Sequence, residues 1–61
     1  MLNKIWDIFM TDGNIIYTNA YTKRGVDYVD NIVKYRKKLY YVTIKETRRG
    51  FDCINISEIE E

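Results

Sequence analysis

Histidine and proline are absent from this 61-residue sequence, and cysteine occurs only once, as Cys53. A single cysteine cannot form an intramolecular disulfide, and without histidine there is no Cys/His cluster to bind zinc, so both usual reinforcements of small domains are excluded. A domain of about 60 residues buries only about 60% of its unfolded surface. We therefore expect one domain over residues 1–61, with a single hydrophobic core that is used alone or shared in a homodimer.

Long hydrophobic runs are also missing. No apolar stretch approaches the roughly 18 residues that a membrane-spanning helix needs, and Lys4 and Asp7 interrupt the segment that a signal peptide would require. We therefore expect a cytoplasmic protein with no membrane partner. Isoleucine, lysine, asparagine and tyrosine are frequent, and their A/T-rich codons indicate an AT-rich genome such as that of a low-GC bacterium or its phage.

The residue types of common catalytic sites are scarce. Acid–base chemistry near neutral pH most often uses histidine, and nucleophilic catalysis pairs a serine or cysteine with a base. Here Ser57 is the only serine, and Cys53 has no partner at a recognisable spacing. The three glycines are widely separated and form no phosphate-binding loop. The sequence therefore predicts a protein that is not an enzyme, with no catalytic residues, metal or cofactor.

The first third of the chain predicts a β-hairpin. Asp12-Gly13 lies between two β-rich runs and is a favoured pair for a two-residue type I′ turn. A hairpin from about Asn3 to Thr22 follows. One side of it faces the core, and the register leaves three sizeable apolar side chains on the outer side, namely Ile5, Phe9 and Ile16.

Residues 26–37 predict a helix. At about 100° per residue, their apolar side chains fall on one half of the helical wheel and their charged side chains on the other. This apolar arc is wider than one small sheet covers, so Tyr28, Ile32 and Tyr35 are expected to be partly exposed. In the alternative interpretation, Tyr28 and Tyr35 lie over the sheet edge with only their hydroxyls in water.

The last third predicts a second hairpin. The segments "LYYVTIKET" and "FDCINISEI" flank a three-residue loop, Arg48 to Gly50, in which glycine supplies a left-handed bulge position. This register pairs Val42 with Ile56 and Ile44 with Ile54. The predicted fold is therefore a small α+β domain of order ββαββ, in which two hairpins form a mostly antiparallel sheet with one helix packed on one face.

Basic residues are concentrated between Lys34 and Arg49, where Glu46 is the only acid. If they converge, they could neutralise a phosphate backbone while an exposed aromatic ring stacks on bases. In the alternative interpretation, they form a solvated rim. The candidates for nucleic-acid contact are Lys34, Arg36, Lys37, Lys38, Tyr41, Lys45, Arg48 and Arg49.

These features predict a small non-enzymatic protein-binding module that occludes or tethers a larger partner. A phage or mobile-element inhibitor of a host enzyme or defence system fits the size and residue usage. Uncovered apolar clusters mark interfaces, so the interface candidates are Tyr28, Ile32 and Tyr35, or Ile5, Phe9 and Ile16. The basic segment would steer an acidic partner, and an unpaired strand edge would allow a homodimer. The alternative function is nucleic-acid binding by residues 34–49.

Overall fold

In the computed structural model, which describes residues 2–60, one helix is followed by four strands. The helix is α1 (Leu2–Asp12), and the strands are β1 (Asn14–Lys23), β2 (Val26–Tyr35), β3 (Lys38–Thr47) and β4 (Gly50–Ile59). The strands form one antiparallel sheet in the order β1-β2-β3-β4, and α1 packs on one of its faces. The order is αββββ, so the predicted order ββαββ is wrong. Met1 and Glu61, the ends of the predicted domain, lie outside the described residues.

The predicted first hairpin is wrong because its first half forms α1. Ile5 and Phe9, four residues apart, lie on the same side of the helix, and both belong to the core or pack against it. The Gly13 amide donates to the Phe9 carbonyl at 2.8 Å, which closes the last helical turn. The Asp12-Gly13 pair therefore ends a helix instead of forming a hairpin turn.

The predicted helix at residues 26–37 is wrong because this segment forms β2. Its valines and isoleucine are β-branched and favour strands. A spacing of four residues keeps two side chains on one side in a helix and also in a strand. In β2, however, Val29 and Val33 face α1, while the alternation of strand side chains puts Tyr28 and Ile32 on the opposite face. The apolar arc of the predicted helix is thus divided between the two faces of the sheet.

Two of the three hairpin turns have both central residues at positive φ. These residues are Arg24 (φ 53°) and Gly25 (φ 76°) between β1 and β2, and Arg36 (φ 50°) and Lys37 (φ 67°) between β2 and β3. Positive φ at both positions defines a type I′ turn, whose twist matches that of the flanking strands. A left-handed conformation costs a residue other than glycine about 1–2 kcal/mol, so the turn at Arg36-Lys37 is strained.

We expect Lys37→Gly to raise the free energy of unfolding by about 0.5–1 kcal/mol, because glycine relieves the left-handed strain but adds entropy to the unfolded chain. Urea unfolding followed by Trp6 fluorescence measures this change. The matched control is Gly25→Ala, which should be destabilising because alanine is strained at the positive φ of this position. A Cβ there would meet no atom within 4 Å, so steric overlap does not contribute. A loss of stability in Lys37→Gly would contradict the account of this turn.

The turn of the last hairpin contains two residues, Arg48 and Arg49, because Thr47 pairs with Gly50. The predicted three-residue loop is therefore wrong in length. Its glycine does have a positive φ, 122°, but Gly50 pairs with Thr47 as the first residue of β4, so the predicted bulge is not at this position. The last hairpin itself, between β3 and β4, is present as predicted.

A bulge changes the register within that hairpin. Val42 pairs with Ile56, which confirms the predicted partner. Ile44, however, pairs with Cys53 instead of Ile54, because the register shifts between Thr43 and Ile44. Cys53 is consequently buried beneath the helix, and Ile54 is 47% exposed.

The hydrophobic core lies between α1 and the sheet. Phe9 is its central helical residue, with its ring 5.2 Å from that of Tyr35 and 4.9 Å from that of Tyr40, measured between centroids. The buried residues of the core are Phe9, Val33, Val42, Ile44 and Cys53. No helix in the described part of the chain is long and apolar enough to cross a membrane.

Candidate functional site

The face of the sheet opposite α1 is not covered by any helix or strand within residues 2–60. Cross-strand pairing arranges its side chains in three parallel rows. We call this surface the open face and define it by the members of those rows: Tyr17, Ile32 and Tyr41; Asn19, Asp30 and Thr43; and Tyr21, Tyr28 and Lys45.

Tyrosine is distributed unequally between the two faces. The chain has six tyrosines. Tyr35 and Tyr40 lie on the helix side, where their rings contact Phe9. The other four lie on the open face, in β1 (Tyr17, Tyr21), β2 (Tyr28) and β3 (Tyr41). The open face is therefore an aromatic surface with hydroxyl groups.

A carboxylate organises the centre of the open face. The Tyr21 hydroxyl donates to Asp30 Oδ1 at 3.3 Å, and the Thr43 hydroxyl donates to the same oxygen at 3.1 Å. The nearby Asp30 carboxylate is the main cause of a raised pKa at Tyr41, followed by desolvation. Desolvation is the main cause of a raised pKa at Tyr21, with the charge of Asp30 next. The hydroxyls of Tyr21 and Tyr41 therefore remain protonated donors at neutral pH.

The rings of Tyr21 and Tyr28 are stacked, with centroids 5.5 Å apart and an angle of 20° between their planes. These residues are cross-strand partners of β1 and β2. Aromatic pairs in this geometry contribute about 0.5–1.5 kcal/mol beyond the area they bury. The pair is thus ordered before any partner binds.

The predicted basic residues do not converge. Arg36, Lys37 and Lys38 lie at the turn between β2 and β3, whereas Arg48 and Arg49 lie at the other end of β3. Ten residues of strand separate the two groups by about 30 Å. Lys38 Nζ lies 3.3 Å from Glu58 Oε1 in an exposed ion pair. Of the predicted set, strand alternation places three members on the same side of the sheet: Lys34, Tyr41 and Lys45.

The predicted apolar interface residues do not form either of the expected patches. Tyr28 and Ile32 lie on the open face, but Tyr35 lies on the helix side, with the Arg36 guanidinium 5.2 Å above its ring. The second trio is divided between core and surface: Phe9 is 4% exposed, Ile5 is half-buried against the core, and Ile16 is 56% exposed at the bulge in β1.

Sequence reasoning missed Tyr17, Tyr21 and Asp30 as site residues. The signal that could have identified them is an alternation of period two. In β1 this alternation puts Tyr17 and Tyr21 on one side, and in β2 it does the same for Tyr28 and Asp30. The alternation in residues 26–35 was hidden by their equally good helical period.

A second concave surface lies on the helix side. It is a cleft of about 240 Å³ between α1 and the sheet, lined by Trp6, Met10, Val29, Asn31, Ile44 and Phe51. We call it the apolar cleft. Two of its large side chains remain exposed to solvent, Met10 at 61% and Phe51 at 63%. Helix α1 therefore leaves part of this face of the sheet uncovered.

Cys53 is a free, buried cysteine. Burial raises the pKa of the Cys53 thiol, so the reactive thiolate is disfavoured at neutral pH. Within residues 2–60, no three His, Cys, Asp or Glu side chains are placed to hold a metal ion.

No protein-family model matches the chain. Neither a curated protein nor a solved structure shows significant similarity to it.

Proposed function

We propose that this protein is a small, non-enzymatic, cytoplasmic protein-binding module that docks its open face on a larger partner and thereby occludes or tethers it. One observation carries the proposal: four of the six tyrosines lie on a sheet face that no helix or strand of residues 2–60 covers. The small size and the AT-rich residue usage support a phage or mobile-element inhibitor of a host enzyme or defence system.

The chemistry of the open face supports a protein partner. Tyrosine is enriched among the residues that dominate binding energy, because it offers a large apolar ring and a hydroxyl at low entropic cost. Four strands of ten residues present about 20 Å by 30 Å, or roughly 600 Å², against the roughly 800 Å² that each partner contributes to a standard interface. The open face thus supplies most of one side of such an interface.

The charges on this side of the sheet favour an acidic partner. Lys23, Lys34 and Lys45 project from it by strand alternation. These three lysines outnumber Asp30, the one carboxylate in the rows that define the open face. Complementary charge of this kind increases the association rate and selects the partner.

A homodimer would use the free edge of the sheet. Every residue of β1 is exposed. At the other edge, the Cys53 amide of β4 donates to Asn3 Oδ1 at 2.7 Å, so the helix occupies part of that edge. An unpaired strand edge is a template for pairing with another chain, and β1 is therefore the edge through which two copies would join.

Nucleic-acid binding is the second candidate, because Lys34, Tyr41 and Lys45 share the open side. Three features weigh against it. The rings of Tyr21 and Tyr28 stack on each other, which leaves less ring surface for bases. The carboxylate of Asp30 repels phosphate, and the two turns that carry arginine and lysine lie about 30 Å apart along β3.

The test is affinity capture from nuclease-treated and untreated low-GC bacterial lysates with three proteins: wild type, the double variant Tyr17→Ser/Tyr21→Ser, and the control Ile8→Ser. Ile8 is 46% exposed on the helix, and Tyr17 and Tyr21 are 50% and 37% exposed, so the control removes an exposed apolar side chain without changing the open face. We expect wild type and Ile8→Ser to retain one stoichiometric protein after nuclease treatment, and the double variant to bind it at least about 30-fold more weakly.

Two results would contradict the proposal. Equal retention by the double variant would exclude the open face as the docking surface. Recovery of nucleic acid alone, with an affinity that falls steeply between about 50 and 200 mM salt, would support the second candidate instead.

A further inference from the structure

The apolar cleft is the centre of a longer depression. A neighbouring hollow of about 380 Å³ shares Trp6, Met10 and Phe51 with it and extends to Asn3 and Asp7. A hollow of about 300 Å³ on the other side shares Val29 and extends over the bare sheet to Asp27 and Glu46. We call the three together the trough. Its elongated form fits a segment of extended chain better than a compact molecule.

One polar side chain lies in the floor of the trough. Asn31 is only 3% exposed, and its Oδ1 accepts a hydrogen bond from the Thr18 hydroxyl. Its Nδ2 donates to no other residue of the described chain. Within residues 2–60, no completely buried side-chain nitrogen or oxygen lacks a partner, so this Nδ2 is accessible to solvent, and Asn31 itself lines the cleft. The floor therefore offers one hydrogen-bond donor among apolar groups.

Acidic side chains stand at both ends of the trough. Asp7 lines one end, and Asp27 and Glu46 line the other; all three are exposed. Asp27 accepts a hydrogen bond from the Thr22 hydroxyl at 2.6 Å. None of the three carboxylates forms an ion pair with a residue of the described range. The arginines of the β1–β2 and β3–β4 turns form no ion pair with them. The three carboxylates can therefore attract the basic side chains of a ligand.

We propose that the trough binds an extended peptide segment of a partner protein, with an aromatic or large aliphatic side chain in the apolar cleft and basic residues on both sides. A peptide carbonyl accepts the hydrogen bond that Asn31 Nδ2 offers, and the basic side chains pair with Asp7 at one end and with Asp27 and Glu46 at the other. Most of this site lies on the face opposite the open face, although Tyr21 and Tyr28 also line its hollow at the Asp27 end; the inference does not depend on the proposed function.

The size of the cleft decides between an anchor side chain and a larger ligand. A cavity of about 150 Å³ accommodates benzene, and pockets for drug-sized molecules start at about 300 Å³. The cleft, at about 240 Å³, lies between these two limits and accommodates one large side chain. The remaining volume of the trough is then available to the flanking residues of the same peptide.

Synthetic seven-residue peptides with the pattern Arg-Lys-Ser-Phe-Ser-Lys-Arg test the inference, alongside peptides with alanine at the centre or with glutamate in place of the basic residues. NMR titration of the full chain follows the Asn31 side-chain amide and the Trp6 indole N–H. We expect the Phe-centred basic peptide to shift both signals, and both altered peptides to bind at least about tenfold more weakly, since one buried anchor or charge pair contributes more than about 1.4 kcal/mol.

A matched pair of variants in β4 provides the control. Phe51→Ser removes an exposed wall of the trough, whereas Ile54→Ser removes an exposed apolar side chain that does not line it. We expect Phe51→Ser to lose at least about tenfold in peptide affinity and Ile54→Ser to bind as the wild type does.

The inference is overturned if neither signal shifts with the basic peptide at about 1 mM, or if the alanine-centred peptide binds equally well. The single variant Tyr17→Ser, at an open-face residue that lines none of the three hollows, should bind the peptide normally, so failure of the open-face proposal is distinguishable from failure of this one.

Discussion

Phe9→Ala is expected to lower the free energy of unfolding by about 3–5 kcal/mol, the range for removing a buried aromatic ring from a core. Phe9 is 4% exposed, its ring contacts those of Tyr35 and Tyr40, and it belongs to the buried core. At about 0.05–0.15 kcal/mol per residue, a chain of this length has a total stability of about 3–9 kcal/mol. The variant should therefore lose at least about a third of the total stability.

Urea unfolding monitored by circular dichroism measures this loss. Ile8→Ala is the control, because Ile8 neighbours Phe9 in the same helix but is 46% exposed, and it should change stability by less than about 1 kcal/mol. Phe9→Leu should fall between the two. A loss below about 1 kcal/mol for Phe9→Ala would show that α1 is not docked on the sheet as described.

Gly13→Ala is expected to cost about 3 kcal/mol, because no space exists for a Cβ at this position. The added carbon would lie 2.5 Å from the Phe9 carbonyl oxygen and 2.8 Å from Val33 Cγ1. The first contact is with backbone and the second with a side chain that is 0% exposed, so neither neighbour can rotate away. Glycine is required here by close packing between the end of α1 and β2.

The comparison for Gly13→Ala is Asp12→Ala, a substitution of the exposed preceding residue, which should stay within about 0.5 kcal/mol of the wild type. Thermal and urea unfolding of the two variants together measure the difference. If Gly13→Ala is as stable as Asp12→Ala, the end of α1 does not approach β2 as closely as the structure shows.

These two residues also determine which part of the sheet remains uncovered. Phe9 holds the helix near Tyr35 and Tyr40, and Gly13 lets its end approach Val33. Helix α1 consequently does not reach the end of the helix-side face that includes Glu46. The trough is therefore a direct result of how α1 docks.

The hairpin of β3 and β4 could be predicted from the sequence, and the first half of the fold could not. In the last third, alternating aliphatic residues, a glycine and the Val42–Ile56 pair all indicate the same structure. In α1, by contrast, Trp6, Ile8 and Met10 alternate as in a strand, while Ile5 and Phe9 have helical spacing. Local pattern alone does not decide such a segment, and packing of Phe9 on the sheet decides it.

The spacing of the turns is the signal that indicates a strand, and not a helix, at residues 26–35. The three turns begin at Arg24, Arg36 and Arg48, twelve residues apart, and each connects strands of ten residues. Regular turn spacing of about 8–12 residues is typical of an antiparallel sheet. Arg36-Lys37 was overlooked because it contains none of the residues that usually favour positive φ.

The candidate site was harder to predict than the fold, because it depends on how strands pair. Tyr28 and Ile32 were identified from their apolar character and do lie on the open face. Tyr17 and Tyr21 join them only through the β1–β2 register. Asp30 belongs to the charged half of the predicted helix, and its role as the acceptor for two hydroxyls becomes visible only when three strands are aligned.

The most direct test of the open-face proposal is tyrosine modification with N-acetylimidazole in the free protein and in the complex with its captured partner, read out by mass spectrometry. The six tyrosines provide an internal control, since Tyr35 and Tyr40 lie on the helix side. The proposal predicts that the partner protects the tyrosines of the open face, Tyr17, Tyr21, Tyr28 and Tyr41, and leaves the other two unchanged. Unchanged modification of Tyr17 and Tyr21 in the complex, or protection confined to Tyr35 and Tyr40, would contradict it.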